Sequence, residues 1–125
     1  MIVGIGTDIV DIQRIEKAIS CFGERFAQKI LSDREFGDYQ SASSQPAFLA
    51  KRFAAKEATV KALGTGFRSG LRPSHISVEH DELGRPCIQL LSIAQTIAND
   101  LGVSCVHISV ADEQRYAVAF ATAIT

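Results

Sequence analysis

The 125-residue sequence lacks the cysteine spacing and the charge imbalance that mark several common classes of protein. Cys21, Cys87 and Cys105 are far apart and show neither a CxxC motif nor the Cys/His spacing of a metal site, so neither a disulfide framework nor a zinc site is indicated. We therefore expect three buried free thiols in a reducing compartment. The formal net charge of −1 excludes a surface that is basic throughout, so we expect neither a nucleic-acid nor a membrane partner.

Long apolar runs, targeting signals and two common catalytic motifs are also missing. No stretch is apolar for long enough to cross a membrane, and MIVGIGTDIV at the start has no basic residues of the kind that open a signal peptide. These features predict a cytoplasmic protein. The sequence contains neither a Walker phosphate-binding loop nor a GxSxG nucleophile motif. Because repeats, linkers and low-complexity runs are absent as well, we expect residues 1–125 to form one domain with a single core.

The apolar periodicity predicts an α+β fold in which a mainly antiparallel sheet packs with a long buried helix. Residues 2–7 are typical of a buried strand, and isoleucines then recur at helical spacing from Ile9 to Ile19, before a stop at Gly23. Further helices are predicted over residues 26–30, 32–39 and 48–63, and over 92–101 before Gly102. Two hairpins are predicted to turn at residues 81–86 and 112–115.

The long helix, FLAKRFAAKEATVKAL, has ten apolar residues in sixteen and no broad polar face. A helix that is apolar nearly all round is usually enclosed by protein, so its charged side chains need partners. Glu57 and Lys61 lie four residues apart, as do Arg52 and Lys56. One interpretation of Glu57 and Lys61 is a surface pair that supports the helix. The other is an acid and several bases that together bind an anion and a metal.

Asp8 is a carboxylate at the end of an apolar strand, and two interpretations stay open. It could cap a helix N-terminus, a role for which Thr7 and Asp11 compete. Alternatively, Asp8 could converge with Glu57, in which case the two carboxylates repel unless a proton or a cation lies between them. Ligands that are all oxygen favour magnesium, which takes further ligands from water and from the phosphates of a substrate.

The glycine-containing loop after the long helix and the histidine in a later strand are weaker signals. Gly64 is explained equally well by a helix C-cap and by a nearby phosphate. Since a helix C-terminus repels anions, Lys61, a metal and backbone N–H groups would have to attract any phosphate there. His107 lies in an alternating strand, where a single histidine is more often structural than catalytic. Its neighbour Cys105 does not suffice for a nucleophilic pair.

Four segments together carry a family resemblance: GIGTDIVDI, RFAAKEATVKALGTG, DELGRP and HISVADEQRYAVA. They resemble the holo-[acyl-carrier-protein] synthase family, the small single-unit branch of the 4′-phosphopantetheinyl transferases. The resemblance covers nearly the whole chain in the same order. Its most specific part is the signature GxD followed by FxxKExxxK, whose positions are occupied by Gly6, Asp8, Phe53, Lys56, Glu57 and Lys61.

The resemblance implies a magnesium-dependent transfer of phosphopantetheine from coenzyme A to a serine of apo acyl carrier protein, in support of fatty acid biosynthesis. By the motif, Asp8 and Glu57 would hold magnesium and Lys61 would meet the pyrophosphate. Glu57 and a metal-bound water are both candidates for the base. Such transfer depends on positioning and charge stabilisation. The family pattern places further residues along coenzyme A, with the last two near its 3′-phosphate: Gly64, Thr65, Gly66, Arg52 and His107.

The same resemblance implies a homotrimer with sites at subunit interfaces and an acidic carrier docked on a basic first helix. The candidate docking residues are Arg14, Lys17, Arg25 and Lys29. Family members often have arginine where Cys21 and Gln28 stand, which affects the expected strength of docking and not the chemistry. Two other functions are compatible with parts of the pattern. A non-catalytic coenzyme A or nucleotide-binding module would not need both Asp8 and Glu57, and a magnesium phosphodiesterase would have more clustered ligands.

Overall fold

The computed structural model describes residues 1–125 and contains five strands, five α-helices and one short 3₁₀ turn. The strands are β1 (Ile2–Asp11), β2 (Ile76–His80), β3 (Pro86–Leu90), β4 (Cys105–Asp112) and β5 (Tyr116–Ile124). The helices are α1 (Ile12–Phe22), α2 (Glu24–Ile30), α3 (Asp33–Gln40), α4 (Gln45–Leu63) and α5 (Ile93–Leu101), and the 3₁₀ turn spans Pro73–His75. This order of elements is the predicted one.

The strands are antiparallel, as the sequence predicts, but they form two sheets where the sequence predicts one. The larger sheet has three strands in the order β1-β5-β4, and the smaller one is the β2–β3 hairpin. In the larger sheet Asp8 of β1 lies opposite Ala119 of β5. Helix α4 packs on one face of this sheet against all three strands, and the other face of the sheet is left uncovered within the chain.

Helix α4 is the enclosed helix that its composition predicts. Ten of its nineteen residues are buried, among them Leu49, Ala54 and Ala58, which are 0% exposed. Small alanine side chains let the helix approach its neighbours closely, and this close packing is the source of much of the core. The helix ends at Gly64, which adopts a left-handed conformation with φ of 78° and is the predicted C-cap.

The inward face of β1 is formed by glycines and not by the isoleucines, so the predicted burial of its apolar residues is wrong. Ile2, Ile5 and Ile9 are between 60% and 66% exposed. Gly4 and Gly6 face α4 instead, and a Cβ atom on Gly6 would collide with the carbonyl oxygen of Ala58 and the Cβ of Lys61. Strand and helix therefore touch backbone to backbone, and only glycine fits between them.

The boundary between β1 and α1 lies later than the isoleucine spacing predicts. Ile9 belongs to β1, where it pairs with Val118 of β5, and α1 begins only at Ile12. Asp11 caps the helix, because its side chain accepts a hydrogen bond of 2.9 Å from the backbone N–H of Gln13. The helix-cap interpretation of Asp8 is therefore wrong. Pairing with β5 has overridden the helical periodicity at Ile9.

The predicted free thiols are confirmed, but their predicted burial is not. Cys21 and Cys87 are exposed and Cys105 is half-buried. All three lie on outward-facing positions of α1, β3 and β4, away from the alanine-rich contact between α4 and the large sheet. None of the five helices combines the length and the apolar composition that crossing a bilayer requires.

Candidate active site

Asp8, Glu57 and Lys61 come together where β1 crosses α4. The Lys61 ammonium donates a 2.9 Å hydrogen bond to the carbonyl oxygen of Thr7 and lies 3.2 Å from Oδ1 of Asp8. The Asp8 side chain is 16% exposed and that of Lys61 is 51% exposed, so the group lies at the surface. The close approach at Gly6 fixes this arrangement, because Gly6 lies beside Lys61 and two residues before Asp8.

Burial and the charge on Asp8 both raise the proton affinity of Glu57. The pKa of Glu57 is above its ordinary value, first because of burial and then because of repulsion from Asp8, while Lys61 acts in the opposite direction. The two carboxylates therefore interact. The surface-pair interpretation of Glu57 and Lys61 is not supported, because Lys61 forms its ion pair with Asp8 and none with Glu57.

The donor set at this point suits a hard cation that is only partly enclosed by protein. Two carboxylates interact across the site, and carboxylate oxygens are the ligands that magnesium prefers. No group of three or more histidine, cysteine, aspartate or glutamate side chains could enclose a metal ion anywhere in the chain. Asp8 and Glu57 would thus hold magnesium only if water or substrate oxygens completed its coordination.

The loop from Gly64 to Gly66 uses its backbone N–H groups to end the helix. The amides of Thr65 and Gly66 donate to the carbonyl oxygen of Val60, at 3.1 Å and 3.4 Å, and that of Gly64 donates to Lys61 at 3.1 Å. These donors are therefore satisfied within the chain. They are not available to a phosphate, so only the Lys61 side chain and a metal ion could attract one to this loop.

Lys56 forms a buried ion pair that the sequence did not reveal. Its ammonium is 0% exposed and lies 2.6 Å from Oε1 of Glu35, which is itself 1% exposed. It also donates to the carbonyl oxygens of Ile30, at 2.8 Å, and Pro73, at 3.0 Å. Burial lowers the pKa of Lys56 to about 8, although Glu35 opposes that shift. Lys56 therefore joins α2, α3 and the 3₁₀ turn to α4.

Arg52 is held against the same buried glutamate. Its Nε lies 3.4 Å from Oε2 of Glu35, and its guanidinium carbon lies 4.4 Å from the centre of the Phe48 ring. The side chain is only 12% exposed, and its Nε has no hydrogen-bond partner in the chain. Burial lowers the pKa of Arg52, an effect that Glu35 and Asp38 oppose. The guanidinium is thus fixed in place between Glu35 and Phe48.

His107 lies apart from the other candidate residues. In β4 it alternates with Val106 and Ile108, which pack into the core against which α4 lies, so His107 points to the uncovered face of the sheet. There its Nε2 is 3.6 Å from Sγ of Cys105. A single copy of the chain therefore does not bring His107 together with Arg52.

The four candidate docking residues are all exposed, on α1 and α2. Arg14 and Lys17 share one face of α1 with Cys21, at spacings of three and four residues. A cavity beside Cys21 continues this face onto α2, and it is lined by Cys21, Phe22, Arg25, Phe26 and Lys29. The basic residues thus flank a partly apolar surface, on which Phe22 is 66% exposed.

Comparisons with known proteins agree with this fold and these motifs. The model of the 4′-phosphopantetheinyl transferase superfamily matches residues 4–121. A holo-[acyl-carrier-protein] synthase from Vibrio parahaemolyticus is 51% identical over 118 residues, which are 94% of this chain and 94% of that protein. The chain therefore belongs to the 4′-phosphopantetheinyl transferase superfamily, in the branch of the holo-[acyl-carrier-protein] synthases.

Solved structures confirm the predicted fold class. The crystal structure of holo-[acyl-carrier-protein] synthase from Neisseria meningitidis matches with a TM-score of 0.95 and 40% identity, and the match covers 100% of both chains. The synthase from Bacillus anthracis, solved in complex with CoA (3′,5′-ADP), matches with a TM-score of 0.82 and 33% identity over 98% of this chain and 96% of that one. The family resemblance in the sequence is thereby confirmed.

Proposed function

We propose that this chain moves the phosphopantetheine arm of coenzyme A onto a serine of apo acyl carrier protein, giving the holo carrier that fatty acid biosynthesis needs. The observation that carries the proposal is the meeting of Asp8, Glu57 and Lys61 at the crossing of β1 and α4, in a chain of this family. The serine oxygen bonds to the phosphorus next to pantetheine, and the bond from that phosphorus to the bridging oxygen breaks. Adenosine 3′,5′-bisphosphate leaves with the electron pair.

In this proposal Asp8 and Glu57 hold magnesium, which when bound would offset the negative charge of the pyrophosphate. Lys61 supplies a second positive charge close to the two carboxylates, 3.2 Å from Asp8. We assign it to the pyrophosphate oxygens, where negative charge grows as adenosine bisphosphate leaves. The proton of the serine hydroxyl passes to Glu57 or to a water.

The nucleotide end of coenzyme A is assigned to Arg52. A guanidinium that is already held by Glu35 and Phe48 can receive a phosphate without a large loss of side-chain freedom. The turn from Gly64 to Gly66 follows Lys61 directly, and we place the middle of coenzyme A along it.

We further propose that the working unit is a trimer. The uncovered face of the large sheet exposes apolar side chains on β1 and β5: Ile5, Ile9, Tyr116, Val118 and Phe120. A continuous apolar face of this kind is unusual for a monomer and typical of a subunit interface. His107 also lies on it, so a neighbouring copy could carry its own His107 towards the Arg52 region of this one. Sedimentation should give a particle near three times 13.5 kDa, and an active monomer would contradict this.

The carrier is assigned to the surface of α1 and α2. Its four exposed bases, Arg14, Lys17, Arg25 and Lys29, suit an acidic partner. Phe22 and Phe26 add apolar area to the same surface. Glu16 and Glu24 are also exposed there, so the surface is basic in patches. A cytoplasmic location fits this assignment, since the three free cysteines suit a reducing compartment.

The transfer reaction is tested by incubating the chain with coenzyme A, magnesium and apo acyl carrier protein and measuring the mass of the carrier. The carrier should gain one phosphopantetheine group, and a carrier whose acceptor serine is changed to alanine should gain nothing. The alternative of a non-catalytic module that binds coenzyme A predicts binding of coenzyme A without any change in carrier mass. That result would overturn the proposed function.

A further inference from the structure

The Lys61 side chain contacts the same carboxylate that the proposed function assigns to magnesium. Its ammonium lies 3.2 Å from Oδ1 of Asp8 and donates a 2.9 Å hydrogen bond to the carbonyl oxygen of Thr7. Its charge also acts on Glu57, where it opposes the rise in pKa that burial and Asp8 cause. The ammonium and a metal ion are therefore attracted to the same two carboxylates and repel each other there.

The charges of these three side chains do not balance a magnesium ion that binds alone. Asp8 and Glu57 supply two negative charges and Lys61 supplies one positive charge, so the site keeps a single net negative charge. A doubly charged cation at this site is only half neutralised. Pyrophosphate oxygens supply the missing negative charge, because they bind magnesium and accept hydrogen bonds from an ammonium at the same time.

The Lys61 ammonium can leave Asp8 while the backbone of the residue stays in place. The side chain is 51% exposed, and an ion pair with that exposure is held weakly. The backbone is fixed, because the Cβ of Lys61 lies beside Gly6 and its carbonyl oxygen accepts a hydrogen bond from the N–H of Gly64. The ammonium can therefore turn from Asp8 towards the loop that begins at Gly64.

We propose that Lys61 makes the site selective for magnesium that binds together with the pyrophosphate of coenzyme A, over magnesium alone. The ammonium repels the metal ion while it lies at Asp8. When coenzyme A binds, the ammonium turns to the pyrophosphate, whose negative charge neutralises it, and the repulsion is relieved. The inference rests on the proposed function, which assigns Asp8 and Glu57 to magnesium and Lys61 to the pyrophosphate. Its consequence is that magnesium and coenzyme A strengthen each other's binding through Lys61, by the same factor in both directions.

The test is a calorimetric titration of magnesium into wild type and Lys61→Met, without coenzyme A and with saturating coenzyme A, in the absence of carrier. Between an ammonium and a doubly charged cation about 6 Å apart in a water-like medium, repulsion corresponds to roughly a tenfold change in Kd. Lys61→Met should therefore bind magnesium alone about tenfold more tightly than wild type. With coenzyme A present the two proteins should bind magnesium almost equally, so the gain that coenzyme A brings should be about tenfold larger in wild type.

Two control variants separate the position of the charge from the charge itself. Lys61→Arg keeps a positive charge at the site and should bind magnesium alone as weakly as wild type. Lys51→Met removes the same charge from a position about 15 Å away along α4, beyond the Debye length of about 10 Å at 0.1 M ionic strength. It should leave the Kd for magnesium unchanged. The heat of magnesium binding to coenzyme A in solution is measured separately and subtracted.

The outcomes distinguish this inference from the proposed function. If wild type and Lys61→Met bind magnesium alone equally, or if Lys51→Met tightens binding as much as Lys61→Met does, the inference is overturned and the proposed function is unaffected. An equal gain from coenzyme A in wild type and Lys61→Met would overturn the inference in the same way. Failure of the wild type to bind magnesium under either condition would overturn both the inference and the assignment of Asp8 and Glu57 to the metal.

Discussion

Replacing either of two lysines on α4 by methionine should have opposite effects: Lys56→Met should lower the stability of the fold, and Lys61→Met should lower the transfer activity. Lys56 is 0% exposed and pairs with a glutamate that is 1% exposed, whereas Lys61 is 51% exposed and pairs with Asp8 at 3.2 Å. Removing one partner of a buried ion pair costs about 3–5 kcal/mol, while an exposed pair contributes about 0–1 kcal/mol. Arg52 lies 3.4 Å from Glu35 and still partly neutralises it, so we expect the lower end of the range for Lys56→Met.

A loss of about 3 kcal/mol corresponds to a fall in Tm of roughly 12 °C for a domain of this size. Lys61→Met should keep its Tm within about 4 °C of wild type, but lose transfer activity about 100-fold or more, because a charge that stabilises the transition state is gone. Lys56→Met, assayed well below its Tm, should keep most of its turnover per folded molecule. The two variants thus separate a residue that holds the fold from one that acts in the reaction.

Thermal unfolding followed by circular dichroism, in metal-free buffer, measures the first effect, and the mass of the carrier over time measures the second. The reasoning would be refuted if Lys56→Met unfolded within about 1 kcal/mol of wild type, since the buried pair would then contribute little. It would equally be refuted if Lys61→Met retained full activity, because Lys61 would have no part in charge stabilisation. Guanidinium chloride unfolding provides an independent free energy for both variants.

Two further substitutions test the packing and the carrier surface. Gly6→Ala should destabilise the protein by about 1–3 kcal/mol through overpacking and reduce kcat, because the new Cβ meets the carbonyl of Ala58 and displaces Asp8 from α4; wild-type unfolding and kcat would contradict this. Arg14→Glu should raise the KM for the carrier and leave that for coenzyme A unchanged, and added salt should weaken the carrier's binding since exposed charges are screened. Equal changes in both KM values, or no change, would remove Arg14 from the docking surface.

Local chemistry made much of the fold predictable from the sequence. Ser32 followed by Glu35 predicts the start of α3, and the structure contains the full capping box there. Gly64 and Gly102 both adopt left-handed C-caps where the helices were predicted to end. The turns at residues 81–86 and 112–115 join antiparallel strands as predicted. In each case residues within a few positions of one another determine the cap or turn, so a short sequence pattern is enough to predict it.

The sequence-based predictions were wrong where contacts with segments far away in the sequence determine the local structure. Ile9 has helical spacing with later isoleucines, but pairing with Val118 of β5 makes it part of a strand. The glycines of β1 face the core because α4 approaches the strand too closely for any side chain, a fact about another part of the chain. The exposed isoleucines beside them then face outwards, where an apolar surface suits the proposed subunit contact.

In the candidate site, too, some residues could be predicted from the sequence and others depend on contacts with distant segments. The family signature predicted Asp8, Glu57 and Lys61 together, and the structure places Lys61 against Asp8 and Glu57 within range of its charge. Nothing in the spacing distinguishes Lys56 from Lys61, although one is buried and the other is half exposed. The partner of Lys56 is Glu35, 21 residues earlier in the chain, and was not found from the sequence.

The central claim is that Asp8 and Glu57 form one magnesium site, and a melting scan with and without magnesium tests it most directly. Magnesium at tenfold excess over its Kd should stabilise the wild type by about 1.4 kcal/mol, or roughly 5 °C. Glu57→Gln and Asp8→Asn should lose most of this shift and most transfer activity. Without metal neither should melt below wild type, because each substitution removes the repulsion between the two carboxylates, which together with burial raises the pKa of Glu57. If Glu57→Gln keeps both the magnesium-dependent shift and the activity, the account of this site is wrong.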